Sequence, residues 1–298
     1  MQQAITKAAA LVEAHAYIRQ FAGKPIVVKV GGSIMDDPAA LKQLLVDICF
    51  MDAVGMRPIV VHGGGKSITS AMQKAGLEAQ FVQGRRYTDE RTLAIAEHVL
   101  VNEVNKGIAD TINDVADHKA MSLHSLASCA VFAKKLFLNA PGQNGDATER
   151  KVDIGFVGEV EWVNANLLQA LISANVIPVI APIARDSSGG KLNVNADSVA
   201  GHVAAAVKAE KLILVSDTHG IRTDENAASL ASHLTKSQIE ELVNKGVITA
   251  GMLPKVESSF AALEGGVPKA HIIDGRIQHS LLLEVYTKEG IGTEIVLD

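Results

Sequence analysis

Residues 26–33 read IVVKVGGS and residues 58–67 read PIVVHGGGKS. In each, an apolar run with no polar alternation ends at consecutive glycines. Runs of this kind belong to strands buried on both faces, the interior of a mostly parallel sheet. The same signature returns at VIPVIAPIA (176–184), KLILVSD (211–217) and AHIID (270–274). Helical spacing fills the intervals, at about 38–54, 66–76, 89–116, 164–174, 196–209, 235–245 and 254–264. This alternation predicts an α/β chain: an αβα sandwich around a mostly parallel open sheet.

Outward from that frame, Ile5, Ala8, Ala9, Val12 and Ala16 recur at helical intervals, and Gly23 with Pro25 forms a stop signal, so an amphipathic N-terminal helix is expected. Between Asp117 and Gly158, short β-rich runs surround the polar stretch NAPGQNGDATERK, which predicts hairpins and a loop. A lobe boundary is expected near Ser187-Ser188-Gly189-Gly190, dividing the chain into segments 1–23, 24–186 and 187–298.

The chain is 48% hydrophobic, enough to bury a large core, so disorder is excluded. Its 28 basic and 33 acidic residues give a net charge of −5, which offers no footprint for nucleic acid or an anionic membrane surface. A small charged metabolite is the expected partner. Cys49 and Cys129 lie outside any CxxC pattern, and the only early apolar run, Ala8 to Val12, is too brief for a signal peptide or a span. A reducing cytoplasm is therefore the expected home. The ten histidines include no HExxH, and no metal cage held by the protein is expected.

In a parallel α/β sheet ligands gather at the carboxyl ends of strands. Glycines at strand-to-helix turns let backbone approach an anion, and the N–H groups of the following helix start donate to it. VKVGGS, with Lys29, Gly31 and Gly32, and VHGGGKS, with Gly63, Gly64 and Gly65, are the two such turns. Neither has Walker A or GxGxxG spacing, and tight turning alone would also explain the glycines. NVNAD places Asn193, Asn195 and Asp197 ahead of an alanine-rich helix, where either of the latter two could be a plain N-cap. GMLPK puts Lys255 after a proline suited to a first helical turn, and a lone lysine there would usually be a solvated charge.

In order, VKVGGS, VHGGGK, GRRYTDE, GFVGEV, NVNAD, LVSDTHGI and GMLPKV resemble the motif series of the N-acetylglutamate kinases in the amino acid kinase family. The resemblance runs from about Lys24 to the C-terminus. It implies the amino acid kinase fold and an enzyme that moves the γ-phosphoryl group of ATP, carried with Mg²⁺, onto the γ-carboxylate of N-acetyl-L-glutamate. By that similarity Lys29 and Lys255 bracket the transferring phosphoryl group and Asp197 holds both ammonium groups. Gly31, Gly32 and Gly64 donate to phosphate oxygens, and Gly64 and Gly65 also border the acidic substrate. Arg86 and Asn193 would take the α-carboxylate end, and Ser216 and Asp217 would belong to the nucleotide edge. Segment 24–186 would then hold substrate and dimerisation, and segment 187–298 ATP.

The tail AHIIDGRIQHSLLLEVYTKEGIGTEI resembles that of the arginine-inhibited members, whose N-terminal helix interlaces dimers into a hexamer. The resemblance implies L-arginine as feedback inhibitor, with Tyr17, Lys211, His271, Glu284 and Gly290 lining its pocket. A solvated acid on a surface helix is the other reading of Glu284. Three departures stand out. MSLHSLASC replaces a glycine-rich segment, GRR carries an extra Arg85, and Ala250 replaces a glycine. A kinase for a related acid such as N-acetyl-2-aminoadipate, or a catalytically silent arginine-sensing paralogue, are the alternatives these departures leave.

Overall fold

The computed structural model describes residues 1–298 apart from 116–117, 125–128, 141–149, 225–228, 249–250 and 289. In chain order the first half contains α1 (Gln2–Phe21), β1 (Pro25–Val30), α2 (Gly32–Met35), α3 (Pro38–Ala53), β2 (Arg57–His62), α4 (Gly65–Lys74), β3 (Phe81–Val82), β4 (Arg85–Arg86), α5 (Glu90–Glu97), a π-helical segment (His98–Asn105) and α6 (Lys106–Asn113). There follow β5 (Ala120–Leu123), β6 (Val131–Ala140), β7 (Arg150–Val163), α7 (Ala165–Ser173), β8 (Ile177–Ile180), β9 (Ile183–Arg185), β10 (Lys191–Val194) and α8 (Ala196–Ala206). The chain ends with β11 (Lys211–Ser216), β12 (His233–Thr235), α9 (Lys236–Asn244), α10 (Leu253–Glu264), β13 (Ala270–Asp274), α11 (Ser280–Tyr286) and β14 (Thr293–Val296).

The main sheet has eight strands in the order β12-β14-β13-β11-β1-β2-β8-β5. The six from β13 to β5 are parallel, and β14 runs antiparallel to β13 at one side. This is the open, mostly parallel sandwich that the apolar runs predict. Alternate side chains of β1 serve opposite layers. Val27 packs in one core with Val199 and Val203 of α8 and with Val256 of α10. Ile26, Val28 and Val30 pack in the other with Leu44, Leu45 and Ile48 of α3 and Leu281 of α11. Lys29 shares the parity of Val27, and so faces the α8 layer.

The structure corrects two local expectations. VIPVIAPIA is two strands, because the chain leaves the main sheet at Ala181-Pro182 and β9 joins a second sheet. The stretch 89–116 is α5, the π segment and α6 in succession. The expected hairpin after residue 117 is β6–β7, paired antiparallel, and it closes with β9 and β10 into a small four-stranded barrel that no sequence signal announced. The NAPGQNGDATERK loop lies largely, MSLHSLASC partly and Ala250 wholly outside the described residues. Residues 186–190 form the tight turn of the β9–β10 hairpin: Asp186 N–H donates to Gly190 O at 2.9 Å.

Candidate active site

β1 and β2 are neighbours in the sheet, so their glycine turns emerge side by side. The turn glycines do not all owe their identity to the same cause. A Cβ on Gly31 would sit 2.6 Å from Val215 O, and one on Gly64 would sit 2.5 Å from Leu100 Cδ2, so both positions are fixed by packing. A Cβ on Gly65 would meet nothing within 4 Å, and one on Gly32 would meet only Gly65 N at 4.0 Å. Gly32 and Gly65 therefore border open space. That space is a cleft of about 510 Å³ whose walls include Lys29, Gly64, Arg86, Asn193 and Asp197.

Asn195 caps α8, its Oδ1 accepting from Asp197 N at 2.9 Å and Ser198 N at 3.0 Å. This frees the side chain of Asp197, in the first turn of α8, to turn back onto β1, where Oδ1 lies 2.7 Å from Lys29 Nζ. Both residues are buried. The plain N-cap is thus Asn195 and not Asp197. α10 is drawn against the same turn: Ser258 Oγ donates to Asp197 O at 2.5 Å, and Gly201 lets the two helices close, since a Cβ there would lie 2.5 Å from Ser258 O. Lys255, one turn earlier on α10, is thereby held beside Asp197.

Burial pushes the Asp197 carboxyl up, but the charges of Lys29 and Lys255 outweigh it, and the group stays below the usual aspartate value. Burial likewise lowers the Lys255 ammonium, with Asp197 opposing that shift and Lys29 adding to it. With Lys29, Lys66, Arg85 and Arg86 on its wall against Asp197 and Asp217, the cleft carries an excess positive charge, which invites an anion. Lys255, Gly31 and Ser216 do not themselves form the cleft wall. Gly31 and Ser216 sit beneath it at strand ends, and Lys255 acts through its charge coupling to Asp197, Lys29 and Asp217. Ser216 Oγ reaches Asp217 Oδ1 at 3.4 Å.

At the other end, Arg86 is buried on β4. Its Nη2 donates to Gly65 O and to Thr69 Oγ1, both at 2.8 Å, and its guanidinium lies 4.9 Å from the Phe81 ring centroid. Asn193 donates to Thr88 Oγ1 at 3.3 Å and faces the cleft from β10. Arg85 also lines the cleft. Thr69 and Phe81 escaped the sequence reading; Thr69, one helical turn beyond Gly65, carried a usable signal, and Phe81 carried none. Asp217 borders a second hollow of about 520 Å³ that extends along Gly220, Arg222, Lys245 and Arg276. The glycine cleft and this hollow share Asp217 on their walls.

Of the five residues assigned to the tail pocket, four meet. Lys211 Nζ lies 3.3 Å from His271 Nε2, and His271 Nδ1 lies 2.5 Å from Glu284 Oε1. Glu284 Oε2 accepts from Ile291 N at 2.8 Å and Gly292 N at 3.1 Å, and a Cβ on Gly290 would stand 3.0 Å from it. Glu284 is 7% exposed, which excludes the solvated surface acid. Tyr17 packs on α1 against the α3–α11 core. The α1 residue that reaches the cluster is Phe21, whose ring centroid is 5.3 Å from Lys211 Nζ.

Among the described residues no group of three or more His, Cys, Asp or Glu side chains could hold a metal ion. No described helix is long and apolar enough to cross a membrane.

Comparison with known proteins adds a second line. The profile of the amino acid kinase family matches residues 24–274. The acetylglutamate kinase of Aquifex aeolicus (strain VF5) is 45% identical over 300 residues, covering all of both chains. That of Moorella thermoacetica is 44% identical over 293 residues, covering 98% of each. Among solved structures, N-acetylglutamate synthase from Neisseria gonorrhoeae, complexed with coenzyme A and N-acetyl-glutamate, superposes with a TM-score of 0.84 at 24% identity. This chain spans 63% of that synthase and is itself 98% covered. At that identity the likeness speaks for the fold alone.

Proposed function

The chain belongs to the amino acid kinase family, and we infer that it is the phosphotransferase of arginine biosynthesis that phosphorylates N-acetyl-L-glutamate at the expense of ATP. The observation that carries the chemistry is the buried Lys29–Asp197 pair on the wall of the glycine cleft, with Lys255 coupled to it.

The acceptor γ-carboxylate has an ordinary pKa of about 4.3, so it reaches the site ionised and needs no general base. The work left to the protein is alignment and neutralisation of charge on the phosphoryl oxygens. Lys29 stands on the γ-phosphoryl side and Lys255 nearer the leaving β-phosphate, with Asp197 holding both. Gly32 and Gly64 offer backbone N–H groups to phosphate oxygens, whereas the N–H of Gly31, expected from the sequence to do the same, is taken by Val215 O at 2.9 Å because β1 and β11 pair up to that turn. Gly64 and Gly65 border the acceptor acid. Arg86 presents its planar fork to the α-carboxylate, steadied by Gly65 O and Thr69, and Asn193 fixes the same end. Asp217 and Ser216 border the nucleotide. Mg²⁺ enters on ATP, its shell completed by phosphate oxygens and water. The cleft's donor set suits this, since its acids are Asp197, committed to Lys29, and Asp217.

A panel of N-acylated and free acids, incubated with MgATP and hydroxylamine, tests the assignment through hydroxamate formed from the acyl phosphate. Turnover is expected to be highest with N-acetyl-L-glutamate; preference for another acid would overturn it.

On the same reading, residues 24–186 form the substrate and dimerisation lobe, residues 187–298 the ATP lobe, and residues 1–23 an oligomerisation helix. Ile5, Leu11 and Val12 are exposed on α1 and supply its apolar surface for a hexamer of interlaced dimers. Lys211, His271, Glu284 and Gly290, with α1 closing over them, form the site for L-arginine. Its guanidinium would exchange with the donors now on Glu284. Unchanged activity at millimolar L-arginine would remove this regulatory role, and a dimer by light scattering would remove the hexamer.

A further inference from the structure

The π segment backs the glycine turn of β2 from two directions. Leu100, in its middle, fills the space where a Cβ on Gly64 would lie. Asn105, at its end, reaches under β2: its Nδ2 donates to Val179 O at 2.9 Å and lies 3.0 Å from His62 Nε2. The other ring nitrogen, His62 Nδ1, is 2.8 Å from Gly63 O. His62 and Asn105 are fully buried. Only one tautomer satisfies this chain, with the proton on Nδ1 donating to Gly63 O and Nε2 accepting from Asn105.

A second observation bears on the same network. Asn105 spends its donors on Val179 and His62, while its buried Oδ1 accepts no hydrogen bond among the described residues. Turning the amide over would set its oxygen against Val179 O. An unpaired buried carbonyl is a cost that a structure carries where the paired end is needed. π segments interrupting a helix occur often at functional sites, because the extra residue re-aims the side chains that follow.

A trans peptide is planar, so its N–H points opposite to its C=O. With Gly63 O drawn inward by His62, the Gly64 N–H is turned outward, and it donates to no backbone acceptor among the described residues. Gly63, Gly64 and Gly65 all line the cleft. We propose that His62 and Asn105 are positioning residues for phosphoryl transfer: through the imidazole they lock the Gly63–Gly64 peptide with its N–H aimed at the anionic oxygens in the cleft. This rests on the kinase reading above.

The test separates atoms. In His62→Asn the amide nitrogen falls where Nδ1 stands and can still donate to Gly63 O; in His62→Gln it falls near Nε2 and cannot. kcat is expected within about threefold of wild type for His62→Asn and lowered about 10²-fold for His62→Gln, with KM for MgATP little changed in both. Equal losses in the two variants, tracking their melting temperatures, would show a purely structural histidine. The wild-type enzyme supplies a measurement that needs no variant. Long-range ¹H–¹⁵N spectra of the imidazole should show the neutral Nδ1–H form, and the Nε2–H form would overturn the proposal. A wild-type enzyme inactive toward N-acetyl-L-glutamate would strike the kinase reading and leave the tautomer assignment standing.

Discussion

On the proposed function, Lys255 is a side chain that costs stability in order to supply rate. Burial lowers its pKa, and Lys29 adds to that, so at neutral pH the folded chain holds this ammonium at a disadvantage until phosphate oxygens arrive. Lys255→Ala should therefore leave the melting temperature unchanged or raise it, while kcat falls by about 10²–10³-fold. Wild-type turnover in that variant would void its role. Arg86→Lys should act on binding instead. One ammonium cannot reproduce contacts with Gly65 O and Thr69 Oγ1 while also presenting a fork, so KM for the acid should rise by about 10-fold or more with kcat less affected. An unchanged KM would show that another group takes the α-carboxylate. That Lys29, Asp197 and Lys255 come together was legible because each sits in a motif whose order along the chain is informative. How Asp197 pairs with Lys29, and the capping by Asn195, required knowing that α8 starts beside β1. Phe81 was illegible because an exposed aromatic on a two-residue strand has no periodicity to mark it.

The strand-to-helix turns invite a comparison of neighbouring glycines. Gly64 has φ of +156° and Leu100 occupying its Cβ position, so Gly64→Ala should destabilise by about 1–3 kcal/mol in urea unfolding. Gly65 opens α4 with nothing where a Cβ would go, so Gly65→Ala should keep full stability. Its methyl group would nonetheless enter the space reserved for ligand, and kcat/KM should fall by about 10-fold or more. Full activity in Gly65→Ala would mean that the cleft's occupant does not come close to this turn. Both residues read alike in the sequence, since GGG cannot say which glycine is needed by the protein and which by its ligand. The same limit hid the break in VIPVIAPIA. Both halves are apolar and buried, and only the departure of β9 toward β10 tells one sheet from the other. The π segment was invisible for a related reason, because its residues keep enough helical spacing to read as one continuous helix.

At the scale of the molecule, the main sheet was legible because parallel strands announce themselves as apolar runs one after another. The small barrel was not, since β10 pairs with β7 and β9 at once, and long-range pairing leaves no local trace. Burial deep in the sheet also links global stability to pH. His62 is pushed down to about 4 by burial, and the atoms next to its ring are Gly63 O, offset against that burial, and the uncharged amide of Asn105. In the unfolded chain the same imidazole titrates near 6.5. Above pH 6.5 both states are neutral there and the contribution is whole. As pH falls from 6.5 toward 4, the unfolded chain takes up a proton that the folded chain refuses, and roughly 3 kcal/mol of stability is lost. Asp197 leaves this window untouched, because its carboxyl is held below 3.8 and its contribution fades only in stronger acid. His271, also lowered by burial, adds a loss of the same sign in both wild type and a His62 variant. Urea unfolding between pH 7 and 4.5 should therefore show wild type losing stability more steeply than His62→Asn, by about 1.4 kcal/mol per pH unit at most. Parallel curves would mean that the His62 imidazole is protonated in the folded chain, which would also break the hydrogen-bond chain from Asn105 to Gly63.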